Sequence, residues 1–231
     1  MTDMLTSQTV NMQNQRDDFL ECPECGCPLV STPCRGCEDN KQRDEKHKKW
    51  LGKVWGGAMA RDRFTIESLI ETPHNKKFID AIRSWDPVNH NLYFHGPTGV
   101  GKSHMAVAAA RIHWTETDPS PVVWKQSQIS REMRARDGAD NETKFIERLA
   151  NQKVLIIDDI GTEKRTEFMD TTLYEIIEAR DMTGKGGLIV TSNLNPVHLD
   201  RVLGSTRITS RLARIGQFYD LSKIPDQRLI R

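Results

Sequence analysis

The sequence has no long apolar run and almost no net charge. None of its apolar stretches approaches the roughly 20 residues that a membrane-spanning helix needs, so we expect no membrane contact. The 33 lysines and arginines nearly balance the 32 aspartates and glutamates. Overall charge therefore does not indicate a nucleic-acid partner, and any such contact must come from local patches. The polar N-terminus lacks the apolar core of a signal peptide, and we expect a cytoplasmic protein.

Cysteine is absent from the chain after residue 37. All five cysteines lie between Cys22 and Cys37, whereas a secreted protein usually spreads them as disulfides. The pairs Cys22/Cys25 and Cys34/Cys37 each have Cys-x-x-Cys spacing, and each pair can hold one side of a tetrahedral Zn²⁺ with thiolates. We interpret these four as ligands of a structural zinc, with Cys27 as the spare thiol or a replacement for Cys25. Free or redox-active thiols are the alternative interpretation.

Residues 96–103 have the spacing Gly-x-x-x-x-Gly-Lys-Ser of a phosphate-binding loop. A short apolar strand precedes them and an alanine-rich helix follows, which is the context that this motif requires. Glycines let the backbone N–H groups turn toward a polyphosphate, Lys102 can reach the β- and γ-phosphates, and Ser103 can ligate Mg²⁺. A glycine-rich turn without a ligand is the alternative. The residues predicted to bind a nucleoside triphosphate are Gly96, Pro97, Thr98, Gly99, Val100, Gly101, Lys102, Ser103 and His104.

A second motif is the apolar run 154–157, which ends in Asp158 and Asp159. Ligands bind at the carboxyl ends of the strands in open α/β sheets. Asp158 is therefore predicted to hold the Mg²⁺, and Asp159 to orient or deprotonate an attacking water. A buried strand stopped by a polar turn would produce the same pattern.

Two further positions are candidates for contact with a γ-phosphate. Asn193 follows the predicted strand 188–192, with Thr191 and Ser192 as near alternatives, and a simple turn cap would also explain an asparagine there. Downstream, an arginine of the segment 207–212, which contains Arg207 and Arg211, could reach the γ-phosphate of a neighbouring subunit, as arginine fingers do. A surface arginine that serves solubility is the alternative.

From residue 92 onward, short apolar segments alternate with helical patterns. This alternation predicts an α/β fold with a parallel sheet covered by helices on both faces. The strands are predicted at 92–95, 122–125, 154–158, 188–192 and 217–221. The predicted organisation is a flexible N-terminus at 1–20, a zinc knuckle at 21–38, a charged helical linker at 39–60 and an ATPase domain at 61–231.

One local patch combines an aromatic residue with basic residues, as grooves for single-stranded nucleic acid do. Solvated surface is the alternative for such charges on a helix. The members of this patch are Trp124, Lys125, Arg131, Arg134 and Arg136.

Together these segments resemble the DnaC/IstB group of AAA+ ATPases, and within it the replicative helicase loaders of the DnaC or DnaI type. The resemblance covers about residues 61–231. The stretches that carry it are 94–108, 154–161, 173–180, 189–194, 210–212 and 226–229.

The resemblance implies a P-loop NTPase of the AAA+/ASCE class, with a five-stranded parallel sheet between helices and no helical lid. It implies that 96–103 is Walker A, that Asp158 and Asp159 form Walker B, and that Asn193 is sensor 1. It also implies that Arg211, in Ser-Arg-Leu, is the arginine finger, and that the chain self-associates through this residue acting in trans. Walker B ends Asp-Asp where many AAA+ motors have Asp-Glu, which is consistent with slow turnover. The role of Arg228, in the C-terminal Asp-x-Arg, stays open.

The function implied is ATP hydrolysis, slow and stimulated by DNA or a partner, in loading a hexameric replicative helicase onto single-stranded DNA. The alternative within the group is an IstB-like transposition helper that acts on duplex DNA. Such helpers usually lack a cysteine module, which favours the loader. A metabolic P-loop kinase would need a lid and an acceptor pocket, and the sequence indicates neither.

Overall fold

The structure is a computed structural model that describes residues 22–25, 27, 34–55, 64–113, 122–184 and 187–229. The chain divides into two compact units, residues 1–45 and 46–231, and each is described by itself. The predicted flexible segment 1–20 lies outside the described residues, as does the end of the predicted linker. Among the described helices, none has the length and apolar character needed to cross a membrane.

In the first unit, the described residues form a turn at 22–25 and the beginning of a long helix. The helices are α1 (Arg35–Trp55), α2 (Lys76–Arg83), α3 (Lys102–Ile112), α4 (Gln126–Arg134), α5 (Ala139–Ala150), α6 (Glu167–Thr183), α7 (Pro196–Leu203) and α8 (Arg207–Ile215). The strands are β1 (Asn91–His95), β2 (Val122–Lys125), β3 (Val154–Ile160), β4 (Gly187–Ser192) and β5 (Gly216–Asp220).

The helix ends follow local sequence signals. The Thr166 hydroxyl accepts the Met169 N–H at the start of α6, and the Asn195 side chain accepts an N–H at the start of α7. Side chains of this kind satisfy N–H groups that have no partner inside the helix. Gly184 and Gly204 close the same two helices with φ of 58° and 62°, a conformation that glycine adopts without steric cost.

The five strands form one parallel sheet in the order β2-β3-β4-β1-β5. The α/β prediction is confirmed, and each predicted strand lies within about two residues of an observed one. The main difference is β3, which continues past Asp158 to Ile160 through an irregularity in its pairing with β4. Because all strands run in one direction, their carboxyl ends meet at one edge, with β4 between β1 and β3.

Each face of the sheet is covered by its own apolar cluster. Successive strand residues alternate between the clusters: Phe94 and Ile156 pack with α2 and α3, whereas Tyr93 and Leu155 pack with α5, α6 and α8. Burial on both faces explains why the strands appear in the sequence as continuous apolar runs.

A buried arginine connects α5, α6 and β4. Arg180 is only 4% exposed, and its guanidinium donates to four backbone carbonyls, at 2.7 to 3.0 Å. These belong to Leu149, Ala150, Gln152 and Gly187. Burial lowers the pKa of Arg180 to about 10. The side chain thereby satisfies carbonyls at the end of α5 and fixes them to the start of β4. The sequence predicted a helix that includes Arg180, but not the bonds from its side chain to these carbonyls.

Candidate functional site

The candidate phosphate-binding loop connects the carboxyl end of β1 to the start of α3. Three of its glycines have positive φ: 148° at Gly96, 88° at Gly99 and 97° at Gly101. Residues with side chains rarely adopt such conformations. The loop therefore depends on glycine at these positions, and the helix that follows directs its N-terminal N–H groups toward the loop.

Lys102 lies folded across this loop and is 6% exposed. Its ammonium group donates to the carbonyls of Gly96 and Pro97 at 2.9 and 2.8 Å, and to Asn193 Oδ1 at 2.8 Å. Burial lowers the pKa of Lys102, and the nearby carboxylates of Asp159 and Asp158 oppose that effect. Three neutral oxygens thus hold a cation where an anionic ligand of the loop would bind.

The buried carboxylate of Asp158 joins α3, β3 and β4. Its Oδ1 accepts hydrogen bonds from Ser103 Oγ and Thr191 Oγ1, both at 2.7 Å. Its Oδ2 is buried and has no hydrogen-bond partner among the described residues. Burial raises the pKa of this carboxyl, while the bonds from Thr191 and Ser103 lower it. A hydroxyl and an unpaired carboxylate oxygen at one point fit the oxygen ligands that Mg²⁺ prefers.

Asp159 has an unusual backbone conformation. Its φ of 60° is the one positive value at a non-glycine residue in the described ranges. It lies where the pairing of β3 with β4 shifts between Ile157 and Ile160. Consecutive side chains of a regular strand point to opposite faces, and this bulge breaks that alternation at the end of β3. The Asp159 charge acts on both Lys102 and Asp158, so the two carboxylates lie near the same cation.

The three polar candidates at the end of β4 have different contacts. Asn193 reaches Lys102, whereas Thr191 bonds Asp158 and also accepts the N–H of Asp159 at 2.9 Å. Ser192 donates to the carbonyl of Ile160. All three were predicted at this strand end, but the sequence did not predict that Thr191 binds both the carboxylate of Asp158 and the backbone of Asp159.

Two side chains of the predicted nucleotide-binding set point away from the loop. Val100 is buried in the apolar cluster of α2 and α3. His104 Nε2 lies 3.0 Å from both Thr65 O and Ser68 Oγ, and its ring packs edge-on against Phe64. Val100 and His104 can therefore contribute backbone groups to the loop, while the His104 side chain holds the segment before α2.

Arg211 is bound to α6 of its own chain. Its guanidinium donates to Glu178 Oε1 at 2.6 Å and to Asp181 Oδ2 at 2.9 Å. The side chain is 28% exposed, and Arg214 shares the Asp181 carboxylate at 3.2 Å. In the single chain Arg211 is therefore neutralised by two acidic side chains, a partner set that its sequence position did not reveal.

The proposed aromatic and basic patch is partly engaged in packing. Trp124 packs edge-on against Phe145, and the Arg136 guanidinium stacks over the same ring at 4.0 Å. Arg136 also pairs with Glu132 at 3.0 Å. Arg131 and Arg134 are exposed on α4. Stacking on Trp124 would therefore have to compete with its contact to Phe145.

The cysteine cluster brings four thiols together in the first unit. The Sγ atoms of Cys22, Cys25, Cys34 and Cys37 all lie within 4.8 Å of one another. The separations Cys22–Cys37 and Cys25–Cys34 are 3.5 and 3.7 Å, close to the roughly 3.8 Å between sulfurs of a tetrahedral zinc site. Backbone N–H groups lower the pKa of Cys22 to about 7. Cys27 is exposed and outside this group of four.

Comparison with known proteins identifies relatives of the larger unit. The family described as IstB-like ATP binding protein matches residues 59–217. A Mycobacterium tuberculosis protein named for ATP binding in an insertion sequence is 33% identical over 117 residues, 50% of this chain and 45% of the relative. The chain thus matches less than half of that protein's length.

Two solved structures share the fold. The DnaC helicase loader has a TM-score of 0.58 and 21% identity, with 69% of this chain and 98% of that chain covered. The replication initiator DnaA bound to AMPPCP and single-stranded DNA has a TM-score of 0.59 and 19% identity, covering 69% and 50%. At such identities the likeness concerns the fold alone, a parallel sheet with helices on both faces.

The contacts of Thr191 predict a shift in the pH dependence of the site. Thr191→Val keeps the side-chain shape but removes a hydrogen bond that lowers the pKa of Asp158. The carboxyl should then ionise only at higher pH, so that Mg²⁺-dependent nucleotide binding moves to higher pH. Titration with a fluorescent nucleotide, with Mg²⁺ or with EDTA, between about pH 5 and 8 measures this shift. Thr191→Ser keeps the hydroxyl and should follow the parent profile, whereas coincident profiles for all three proteins would contradict the assigned role.

Proposed function

The chain belongs to the family of IstB-like ATP binding proteins, and we propose that it hydrolyses ATP to load a hexameric replicative helicase onto single-stranded DNA. The observation that carries the nucleotide part is the convergence of β1, β3 and β4 on one point. There Lys102 contacts Asn193, and Ser103 contacts Asp158. These are the groups that phosphoryl transfer to water requires: a mobile cation, a magnesium site and polar groups near the terminal phosphate.

Each of these side chains has a separate role in the proposal. Lys102 would exchange its carbonyl partners for the β- and γ-phosphates, and Ser103 and Asp158 would hold a Mg²⁺. Asp159 accepts a proton from the attacking water, and Asn193 keeps that water or the γ-phosphate in position. Bound Mg²⁺-ATP supplies the phosphoryl group whose transfer to water releases the free energy. Because Lys102 is bonded to Asn193, a movement of Lys102 on ligand binding would also displace Asn193 at the end of β4.

The cysteine cluster favours a loader over the alternative. It lies in the first unit, outside the region matched by the family, and such an appendage suits a protein that must grip a second protein. The fold likeness to the DnaC helicase loader supports the same proposal. The alternative, an IstB-like transposition helper on duplex DNA, is supported by the relative named for an insertion sequence.

Helicase loading can be measured with purified components. The parent protein with ATP should increase the amount of the source organism's hexameric helicase on circular single-stranded DNA, scored by release of an annealed oligonucleotide. Lys102→Ala should abolish both ATP binding and loading, because the loop loses its mobile cation. Lys144→Ala removes an exposed lysine on α5 and should behave as the parent.

The same assay separates the two functions. If adding the parent protein with ATP does not increase the amount of helicase on single-stranded DNA, and the protein instead assembles on duplex DNA in an ATP-dependent way, the loader is rejected and the transposition helper is supported. Equal ATP affinity in the parent and in Lys102→Ala would reject the nucleotide site itself.

We also propose that the four clustered cysteines bind one structural Zn²⁺. Four thiolates fill a tetrahedral coordination shell and leave no open position for catalysis. The first unit is too small to bury a substantial apolar core, so that metal binding would supply much of its folding free energy.

Purified protein should accordingly contain about one Zn²⁺ per chain. Cys22→Ser should lose the metal, because an hydroxyl is a poor replacement for one of four thiolates. Cys27→Ser is the matched control and should retain it. Elemental analysis of reduced protein measures both, and metal retained by Cys22→Ser but lost by Cys27→Ser would reverse the choice of ligands.

Arg211 is proposed to complete the ATP site of a neighbouring subunit. To do so, its guanidinium must release Glu178 and Asp181 and bind a phosphate of comparable negative charge instead. The proposal implies that the single chain is catalytically incomplete.

Hydrolysis per chain should then rise with protein concentration, and Arg211→Ala should lower the rate at least about tenfold while ATP affinity stays near the parent value. Mixing Arg211→Ala with Lys102→Ala should restore part of the activity, because one subunit offers an intact ATP site and the other an intact arginine. Asp181→Asn weakens the same ion pair but keeps Arg211. If it lowers hydrolysis as much as Arg211→Ala does, and mixing restores nothing, the arginine is structural.

A further inference from the structure

The segment after β5 runs along the phosphate-binding loop. Leu221 and Ile224 are buried in the apolar cluster that also contains Val100 of the loop. The Leu221 N–H donates to the carbonyl of His95, the residue before Gly96, at 2.8 Å. The chain is therefore anchored beside the loop several residues before it reaches Asp226.

The residues Asp226, Gln227 and Arg228 are here called the strap, and the first two of them contact the loop directly. The Gln227 N–H donates to the carbonyl of Gly99 at 2.9 Å. The Asp226 carboxylate lies so close to Gly99 that a Cβ there would come within 2.1 Å of Oδ1. Gly99 is thus required not only for its positive φ but also because Asp226 occupies the space of a side chain.

Asp226 also fixes the backbone of Arg228. Its Oδ1 accepts the Arg228 N–H at 2.9 Å, which is the local turn that aspartate side chains form with the residue two positions later. Arg228 is exposed, and its charge acts on Lys102, whose pKa it lowers. Its backbone neighbour Gln227 is bonded to Gly99 of the loop, so that Arg228 stands one residue from a direct contact with the phosphate-binding loop.

We propose that the strap completes the phosphate site in cis: Arg228 contacts the bound nucleoside triphosphate, and Asp226 is the positioning residue that directs it there. The proposal rests on the nucleotide site proposed above and adds a second cation to Lys102. The two cations repel each other, and a polyphosphate placed between them relieves that repulsion. The strap should therefore favour the ligand with the larger phosphate charge, ATP over ADP.

The test compares nucleotide affinity in substitutions of the strap. Arg228→Ala should raise the Kd for Mg²⁺-ATP about tenfold, as expected for one charge-assisted contact, and the Kd for Mg²⁺-ADP by a smaller factor. The Kd of Arg228→Lys for Mg²⁺-ATP should lie between those of the parent and Arg228→Ala. The effect of Arg228→Ala on this Kd should shrink at high salt. Lys223→Ala is the matched control, because its charge acts on Asp220 and it should bind as the parent. Thermal unfolding of each variant checks that the fold is retained.

Asp226 provides an independent readout. A carboxylate that acted only by its charge would repel phosphates, so its removal would tighten ATP binding. A positioning role predicts the opposite for Asp226→Ala, which loses the acceptor for the Arg228 N–H and should bind ATP more weakly. Asp226→Asn keeps an acceptor oxygen and should bind at least as tightly as the parent.

The outcomes distinguish a failure of the strap proposal from a failure of the nucleotide-site proposal on which it rests. If Lys102→Ala loses ATP binding while Arg228→Ala binds like the parent, or if Asp226→Ala binds more tightly, the strap proposal is wrong and the nucleotide site stands. If Lys102→Ala binds like the parent, both are wrong.

Discussion

The larger unit depends on the burial of one carboxylate. Asp158 is 1% exposed, and removing a carboxylate from water is costly unless hydrogen bonds replace the lost hydration. The hydroxyls of Ser103 and Thr191 supply those bonds, and they come from the start of α3 and the end of β4. Three elements must therefore meet for the carboxylate to be stable. Lys102 and Asn193 are brought together as a result, because Lys102 precedes Ser103 and Asn193 lies two residues after Thr191.

The sequence predicted the parts of this site that depend on local spacing. The loop at 96–103 and the carboxylates at 158 and 159 follow from short patterns whose residue types the chemistry itself requires. The contacts across the sheet are different, because they depend on strand order. Three polar residues in a row end β4, and only the position of β4 between β1 and β3 decides that Thr191 serves Asp158 while Asn193 serves Lys102. Arg180 was not predicted for the same reason, since its acceptor carbonyls come from α5 and β4.

Arg211 and Arg228 show that the surroundings of an arginine determine how readily it can bind an anion. From the sequence alone, Arg211 and Arg228 are similar basic residues near the C-terminal part of the chain. In the structure, two carboxylates neutralise Arg211, whereas the charge of Arg228 acts on another cation. A neutralised arginine gains little from an approaching anion unless it gives up its present partners, whereas an arginine near a second cation gains from any anion. Under the two proposals, Arg228 would bind an incoming triphosphate directly, whereas Arg211 would first have to release Glu178 and Asp181.

The left-handed conformation of Asp159 has a consequence for which residues this position can accept. Only a few residue types other than glycine enter that region readily, and aspartate and asparagine are prominent among them, because their short side chains bond to the local backbone. A glutamate would carry the steric cost without that compensation. The choice of the shorter acid at the end of β3 is thus favoured by the main chain before any reaction is considered. The irregular pairing at the end of β3 would then also determine how far the carboxylate of residue 159 can extend from the backbone toward a substrate.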